Sequence, residues 1–239
     1  MRKILLLSNS TNYGETFLAY PKEAIKAFLG PRRLKLAFVP YAGVTLDWDK
    51  YTRMVTERMA AMGHETTPVH SVADPSAVIR SADAVVVGGG NTFHLLNELY
   101  RYDLLDLIRA EVDRGKPYIG WSAGSNVACP TIATTNDMPI VEPPSLKALG
   151  LVPFQLNPHY LDTHPDGHKG ETREDRINEY IKINRDKYVI GLREGTLLRI
   201  AGNDMTLVGH RTMRLFRYGL TPRELTATDD LRFLLDNTG

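Results

Sequence analysis

The chain has 239 residues, 29 Lys+Arg against 28 Asp+Glu, and 43% hydrophobic residues. That is enough apolar sequence for a sizeable core, and the near-neutral balance gives no electrostatic case for nucleic acid or an anionic membrane. One cysteine, Cys129, excludes an internal disulfide and a multi-cysteine zinc site, and no apolar run has the length of a signal-peptide core or a membrane span. One domain spanning 1–239, in a soluble cytoplasmic protein, is the expectation.

Residues 3–7 form a continuous apolar run, a buried strand entering the polar loop Ser8-Asn9-Ser10. A helix is predicted from about Pro21, with Ile25, Phe28 and Leu29 inward and Gly30-Pro31 as its stop. Residues 34–39 read as a second buried strand. Trp48, Tyr51, Val55, Met59 and Met62 then fall at i, i+3, i+7, i+11 and i+14, the apolar face of a helix closed by Gly63. Residues 67–69 are a weak strand candidate and 75–80 a short helix. A strand over 84–87 enters Gly88-Gly89-Gly90-Asn91-Thr92, and Leu95, Leu96 and Leu99 mark the helix beyond. Asp103 is expected to cap a helix carrying Leu104, Leu105, Ile108 and Val112, ended by Gly115. Residues 116–119 are again strand-like. From Pro130 to Lys169 the pattern is irregular, and connections that long are uncommon unless functional. A helix follows from about Arg173, then β-like segments near 189–192, 197–200, 206–208 and 213–216.

Short buried strands alternating with amphipathic helices predict an α/β fold, a mostly parallel sheet with helices on both faces. Sites in such sheets lie at the carboxyl ends of strands. Gly88–Gly90 and Ser122 both fall there.

Gly120-Trp121-Ser122-Ala123-Gly124 fits G-x-S-x-G between a strand and a run of small residues. On a tight strand-to-helix turn the Ser122 hydroxyl stands clear of the backbone as a nucleophile, and the Ala123 N–H faces a developing oxyanion. A chance surface turn is the bland alternative. The three glycines at 88–90 leave N–H groups uncovered at a helix start, which makes Gly89 or Gly90 a second oxyanion donor. They are not a dinucleotide turn, because Phe93 stands where G-x-G-x-x-G needs glycine. The base candidates are His94, His159, His164 and His168, with His159 held in Asn157-Pro158-His159. A metal set of His159, His164, His168 and Asp162 lacks H-E-x-x-H or a helix to fix its spacing, so no metal is expected. The acid that orients the base is Asp137 or Glu194, both in turn-like sequence. Thr172-Arg173-Glu174-Asp175 is a capping box, placing Arg173 at a helix N-terminus where it suits a carboxylate ligand. An Arg173 paired with Glu171 or Glu174 is the alternative.

The strings Leu5-Leu6-Leu7-Ser8-Asn9-Ser10, Val87-Gly88-Gly89-Gly90-Asn91-Thr92-Phe93, Gly120-Trp121-Ser122-Ala123-Gly124, Thr135-Asn136-Asp137-Met138-Pro139-Ile140, Asn157-Pro158-His159 and 167–173 recur in order. On these residues the chain resembles peptidase E, the aspartyl dipeptidases of a serine peptidase family that also holds cyanophycinase. Trp121 favours the peptidase E side. Ser125 departs from the family's usual alanine, and Arg193 from the proline that usually precedes the Glu-Gly pair. The resemblance implies a fold like class I glutamine amidotransferases and hydrolysis of dipeptides with an N-terminal aspartate, without a cofactor. It implies Ser122 as nucleophile, His159 as base and Arg173 as the aspartate-binding residue. Leu161 stands where the amidotransferases carry their acid, so the acid comes from elsewhere; Asp137 is chosen and Glu194 held in reserve. Ala123 and Gly89 complete the expected site. The implied partner is a small Asp-Xaa peptide, and a homodimer is left open. An esterase or amidase of α/β-hydrolase type, a cyanophycinase-like peptidase and a non-catalytic anion-binding protein are the competing functions.

Overall fold

The computed structural model describes residues 1–162 and 170–236. In chain order its elements are β1 (Lys3–Leu7), α1 (Lys22–Leu29), β2 (Lys35–Val39), α2 (Trp48–Ala60), β3 (Glu65–Pro68), α3 (Pro75–Ser81), β4 (Ala84–Val87), α4 (Thr92–Arg101), α5 (Leu104–Asp113), β5 (Tyr118–Trp121), α6 (Ala123–Asn126), β6 (Gln155–Pro158), α7 (Arg173–Ile183), β7 (Val189–Leu192), β8 (Leu197–Ala201), β9 (Asp204–Val208), β10 (Met213–Phe216) and β11 (Arg223–Leu225). Among the described residues no helix is long and apolar enough to cross a membrane.

Two sheets form. The larger has the order β3-β2-β4-β5-β1-β8-β9, and the smaller β11-β10-β7-β6. The first five strands of the larger sheet run parallel, and β8 and β9 extend it antiparallel. Alternation along the parallel strands divides the core. Ile4, Leu6, Ala37, Val39, Val85 and Val87 face α3, α4 and α5, while Leu5, Leu7, Leu36, Phe38, Ala84 and Val86 face α1 and α2. Both sides of the sheet are therefore covered, which is why its strands read as unbroken apolar runs. In the smaller sheet β6 and β7 are parallel neighbours, in a register that sets Pro158 opposite Leu192.

Three elements differ from expectation. β3 starts at Glu65, before the predicted 67–69, because its polar residues pair with β2 while Val69 turns into a short 3-10 segment. Asp103 precedes α5 at φ 52°, and its side chain makes no capping hydrogen bond. β6 lies inside the stretch expected to be irregular. Its buried polar Gln155 and Asn157 flank Leu156, so no apolar run announces a strand.

The end of β7 is tied down by a buried guanidinium. Arg193 donates to Asp162 Oδ2 (2.9 Å), to Glu224 Oε2 (2.7 Å) and Oε1 (3.0 Å), and to the Thr212 carbonyl (2.9 Å). Hydrogen bonds from Arg193, opposed by burial and helped by Thr212 and Arg214, pull Glu224 from an ordinary 4.5 down to about 2. A depressed carboxyl pKa adds stability that is present above the unfolded value and lost as pH falls toward the folded one. The urea midpoint should therefore drop as pH falls from 4.5 to about 2. Glu224→Gln should be less stable at neutral pH and show a shallower acid limb; an unchanged limb would remove Glu224 from the tie.

Candidate functional site

The elbow is built as the motif demands. β5 ends at Trp121, Ser122 adopts φ 51° and ψ −113°, and α6 begins at Ala123. A non-glycine residue there stores roughly 1–3 kcal/mol of strain, so its surroundings must enforce it. They do. A Cβ on Gly120 would lie 2.4 Å from the Gly124 carbonyl oxygen, and one on Gly124 would lie 2.1 Å from that of Val87. Both glycines are needed for the turn to close against β4. Tyr118 Oη donates to the Gly124 carbonyl (2.6 Å), and Ser125 Oγ lies 2.7 Å from the Leu7 carbonyl and 2.8 Å from that of Gly120. Ser125, a departure from the family pattern, thus binds the elbow to β1. Ala123, Gly124, Ser125 and Asn126 are all buried, which disposes of the surface-turn alternative.

His159 follows β6 directly, at φ 54°. Its Nε2 is 3.0 Å from Ser122 Oγ, and its Nδ1 is 2.6 Å from Glu194 Oε1. The expected place of Asp137 is corrected here. Asp137 does not meet His159; its Oδ2 accepts from the Thr92 N–H (2.7 Å) and Thr92 Oγ1 (2.5 Å) at the start of α4. The parallel pairing of β6 with β7 explains the difference, because residues one step past Pro158 and two past Leu192 emerge together at one end. His94 is not in the group, since its Nδ1 lies 2.6 Å from the Tyr41 carbonyl. His164 and His168 lie outside the described residues. Among those described, no group of three or more His, Cys, Asp or Glu side chains could hold a metal ion.

Two further side chains attach the segments that carry His159 and Glu194 to the end of β1, beside the strand that leads to Ser122. Ser8 Oγ donates to the Leu192 carbonyl (2.7 Å) and accepts from the His159 N–H (2.9 Å). Asn9 Oδ1 accepts from the Gly195 N–H (2.9 Å), fixing the turn that carries Glu194. In the sequence these residues stand out as a polar loop within a string that carries the family resemblance, and the available signal for their role was polarity just after the apolar run 4–7.

The glycine loop also departs from expectation. The Gly89 N–H, expected as an oxyanion donor, donates to the Tyr51 hydroxyl (2.9 Å), which also accepts from Trp121 Nε1 (2.8 Å). Burial, the leading cause, pushes the Tyr51 hydroxyl well above its ordinary pKa against the opposing pull of Trp121 and Gly89, so it stays a neutral hydroxyl. Tyr51 looked like one more apolar helix position, yet its hydroxyl holds the loop beside Ser122. The N–H groups of Gly90 and Ala123 have no acceptor among the described residues.

Thr172 and Asp175 form the capping box reciprocally, as expected. Glu174 pairs with Arg214 (2.9 Å) and Glu171 with Arg176 (3.7 Å), which leaves the Arg173 guanidinium without an ion pair among the described residues. Burial, with a smaller push from Arg176, lowers the Arg173 pKa from its ordinary value, and Asp137 opposes that. Ser122, Ala123, Asn126, Asp137, His159 and Arg173 line a polar cavity of about 250 Å³. On the other side of Ser122 a cavity of about 730 Å³ is lined by Phe17, Leu46, Tyr51, Met54, Trp121 and His159. Ser122 and His159 thus line both a small polar cavity that holds Asp137 and Arg173 and a larger, mainly apolar one.

If Ser8 holds His159, Ser8→Ala should destabilise the fold by about 1–3 kcal/mol, because the His159 N–H and the Leu192 carbonyl each lose a partner. It should also lower turnover roughly 10-fold or more through a displaced imidazole. Denaturant unfolding and steady-state kinetics read the two effects, and unchanged values for both would remove Ser8 from the site.

The sequence profile of Peptidase family S51 matches residues 4–208. A peptidase E from Streptomyces coelicolor is 52% identical over 237 residues, covering 99% of this chain and 96% of the relative. One from Nostoc sp. is 50% identical over 235 residues, covering 98% and 97%. Among solved structures, a peptidase from an acI-B1 actinobacterium superposes with a TM-score of 0.72 at 17% identity, covering 97% of this chain and 96% of that one. A Listeria monocytogenes protein assigned to peptidase E gives 0.69 at 23%, covering 88% and 99%. These two likenesses bear on the fold, the family match and the close relatives on the chemistry: the chain belongs to Peptidase family S51, and it is a serine-type peptidase.

Proposed function

We propose that this peptidase hydrolyses dipeptides whose first residue is aspartate, through an acyl-enzyme on Ser122. The observation that carries the reading is the unbroken path from Ser122 Oγ through the His159 ring to Glu194 Oε1, beside an Arg173 without an ion pair. Glu194 takes the role first given to Asp137. In the reaction, Ser122 Oγ attacks the peptide carbonyl carbon while His159 Nε2 takes the hydroxyl proton. Glu194 accepts the Nδ1 proton's hydrogen bond and stabilises the imidazolium. The tetrahedral oxyanion is held by the N–H groups of Ala123 and Gly90, with Gly89 keeping its bond to Tyr51. His159 then gives its proton to the departing amine nitrogen as the C–N bond breaks. Water attacks the ester while His159 takes its proton, and His159 returns that proton to Ser122 Oγ as the C–O bond breaks and aspartate is released.

Arg173 reads the aspartate side chain. A guanidinium grips a carboxylate with two parallel hydrogen bonds, whereas asparagine would turn an NH₂ toward a donor-only group. The departing residue occupies the larger cavity, whose apolar lining suits an apolar side chain.

Three substitutions test this reading with Asp-Leu and Asn-Leu. Ser122→Ala should fold and lose roughly 10³-fold or more in kcat. Glu194→Gln should lose up to about 10⁴-fold by favouring the wrong tautomer of His159. Arg173→Leu should depress kcat/KM for Asp-Leu by about 10–100-fold and narrow its lead over Asn-Leu, with Arg173→Lys between. An Arg173→Leu enzyme that keeps the full preference for aspartate would contradict the substrate assignment.

A further inference from the structure

Asp137 remains to be explained, since His159 is already paired with Glu194. One of its oxygens, Oδ2, takes both donors of Thr92, and Thr135 Oγ1 in turn donates to Thr92 Oγ1 (3.0 Å) and accepts from the Asp137 N–H (3.2 Å). The carboxylate is thereby oriented at the start of α4, where a negative charge is favoured. Its other oxygen, Oδ1, has no hydrogen bond among the described residues. Asp137 shares the small cavity with Arg173 and Ser122, and it acts electrostatically on Arg173 without forming an ion pair with it. Two opposite charges thus stand apart across one cavity next to a nucleophile.

An aspartyl residue at the N-terminus of a peptide carries the matching pair. Its α-ammonium and its β-carboxylate are both attached through the Cα that bears the scissile carbonyl. If Arg173 takes the carboxylate and Ser122 meets the carbonyl carbon, the ammonium needs an anionic partner in the same cavity. We infer that Asp137 binds the α-ammonium group of the substrate's first residue, so that the site requires a free N-terminus as well as an aspartate side chain. This rests on the substrate reading above. It makes Asp137 a specificity residue in contact with substrate, separate from the proton path.

The test compares Asp-Leu with succinyl-leucine, which is the same molecule without the α-amino group. Wild type should favour Asp-Leu by about 100-fold or more in kcat/KM, since a charged group of the site left without its partner is heavily penalised. Asparagine at 137 keeps an oxygen for the Thr92 donors but removes the charge. Asp137→Asn should therefore lower kcat/KM for Asp-Leu by about 100-fold while succinyl-leucine changes by less than about threefold. Thermal unfolding of the variant should match wild type. Two results would overturn the inference: a wild type that cleaves both substrates equally, or a variant in which both fall together. The latter would return Asp137 to the proton path or to the α4 terminus. Failure of the aspartate reading is visible separately, as wild type cleaving Asn-Leu as well as Asp-Leu. The ammonium contrast is then judged on Asn-Leu against its own desamino analogue.

Discussion

Two buried polar side chains at the end of one strand hold this site together. Ser8 and Asn9 follow β1, beside the elbow strand β5, and they bond the backbone at His159, Leu192 and Gly195. Ser122 follows a strand of one sheet, His159 and Glu194 follow strands of the other, and among the described residues no strand pairing joins the two sheets. A serine–histidine hydrogen bond depends on separations good to a fraction of an ångström. Apolar packing alone positions sheets less finely, because it has no direction. The Ser8 and Asn9 hydrogen bonds supply direction, together with Asn126 and Thr134, whose side chains both donate to the Leu156 carbonyl on β6 (2.8 and 2.7 Å).

Around that junction the charges are divided by purpose. Glu194 faces the imidazole, Arg173 and Asp137 face the small cavity, and Arg193 is fully engaged by Asp162 and Glu224. Arg193 stands directly before Glu194, at the position where the family resemblance leads one to expect proline. Its ties to the turn before β10 and to β11 restrain the backbone that proline would have restrained through its ring. The departure from proline at 193 therefore replaces one constraint by another.

Much of this was legible in the sequence where physics is local. Apolar runs at 3–7 and 84–87 mark strands covered on both faces, and the period of Trp48, Tyr51, Val55 and Met59 marks α2. The glycines around Ser122 announce a close approach, and Thr172 with Asp175 announces a cap. What stayed hidden depends on register between distant segments. Asp137 and Glu194 are alike as acids in turns, and only the pairing of β6 with β7 brings Glu194 to His159. β6 itself was hidden because half its residues are polar and buried. Tyr51 was hidden for the opposite reason: an aromatic ring at a helical apolar position conceals what its hydroxyl does.

The central claim is that Glu194, and not Asp137, holds the proton-bearing face of His159. Proton NMR of the His159 Nδ1–H measures it most directly, because a hydrogen bond to a carboxylate moves that resonance far downfield. The downfield signal should be present in wild type and in Asp137→Asn, and lost in Glu194→Gln with the fold intact. A signal that survives in Glu194→Gln and disappears in Asp137→Asn would contradict it.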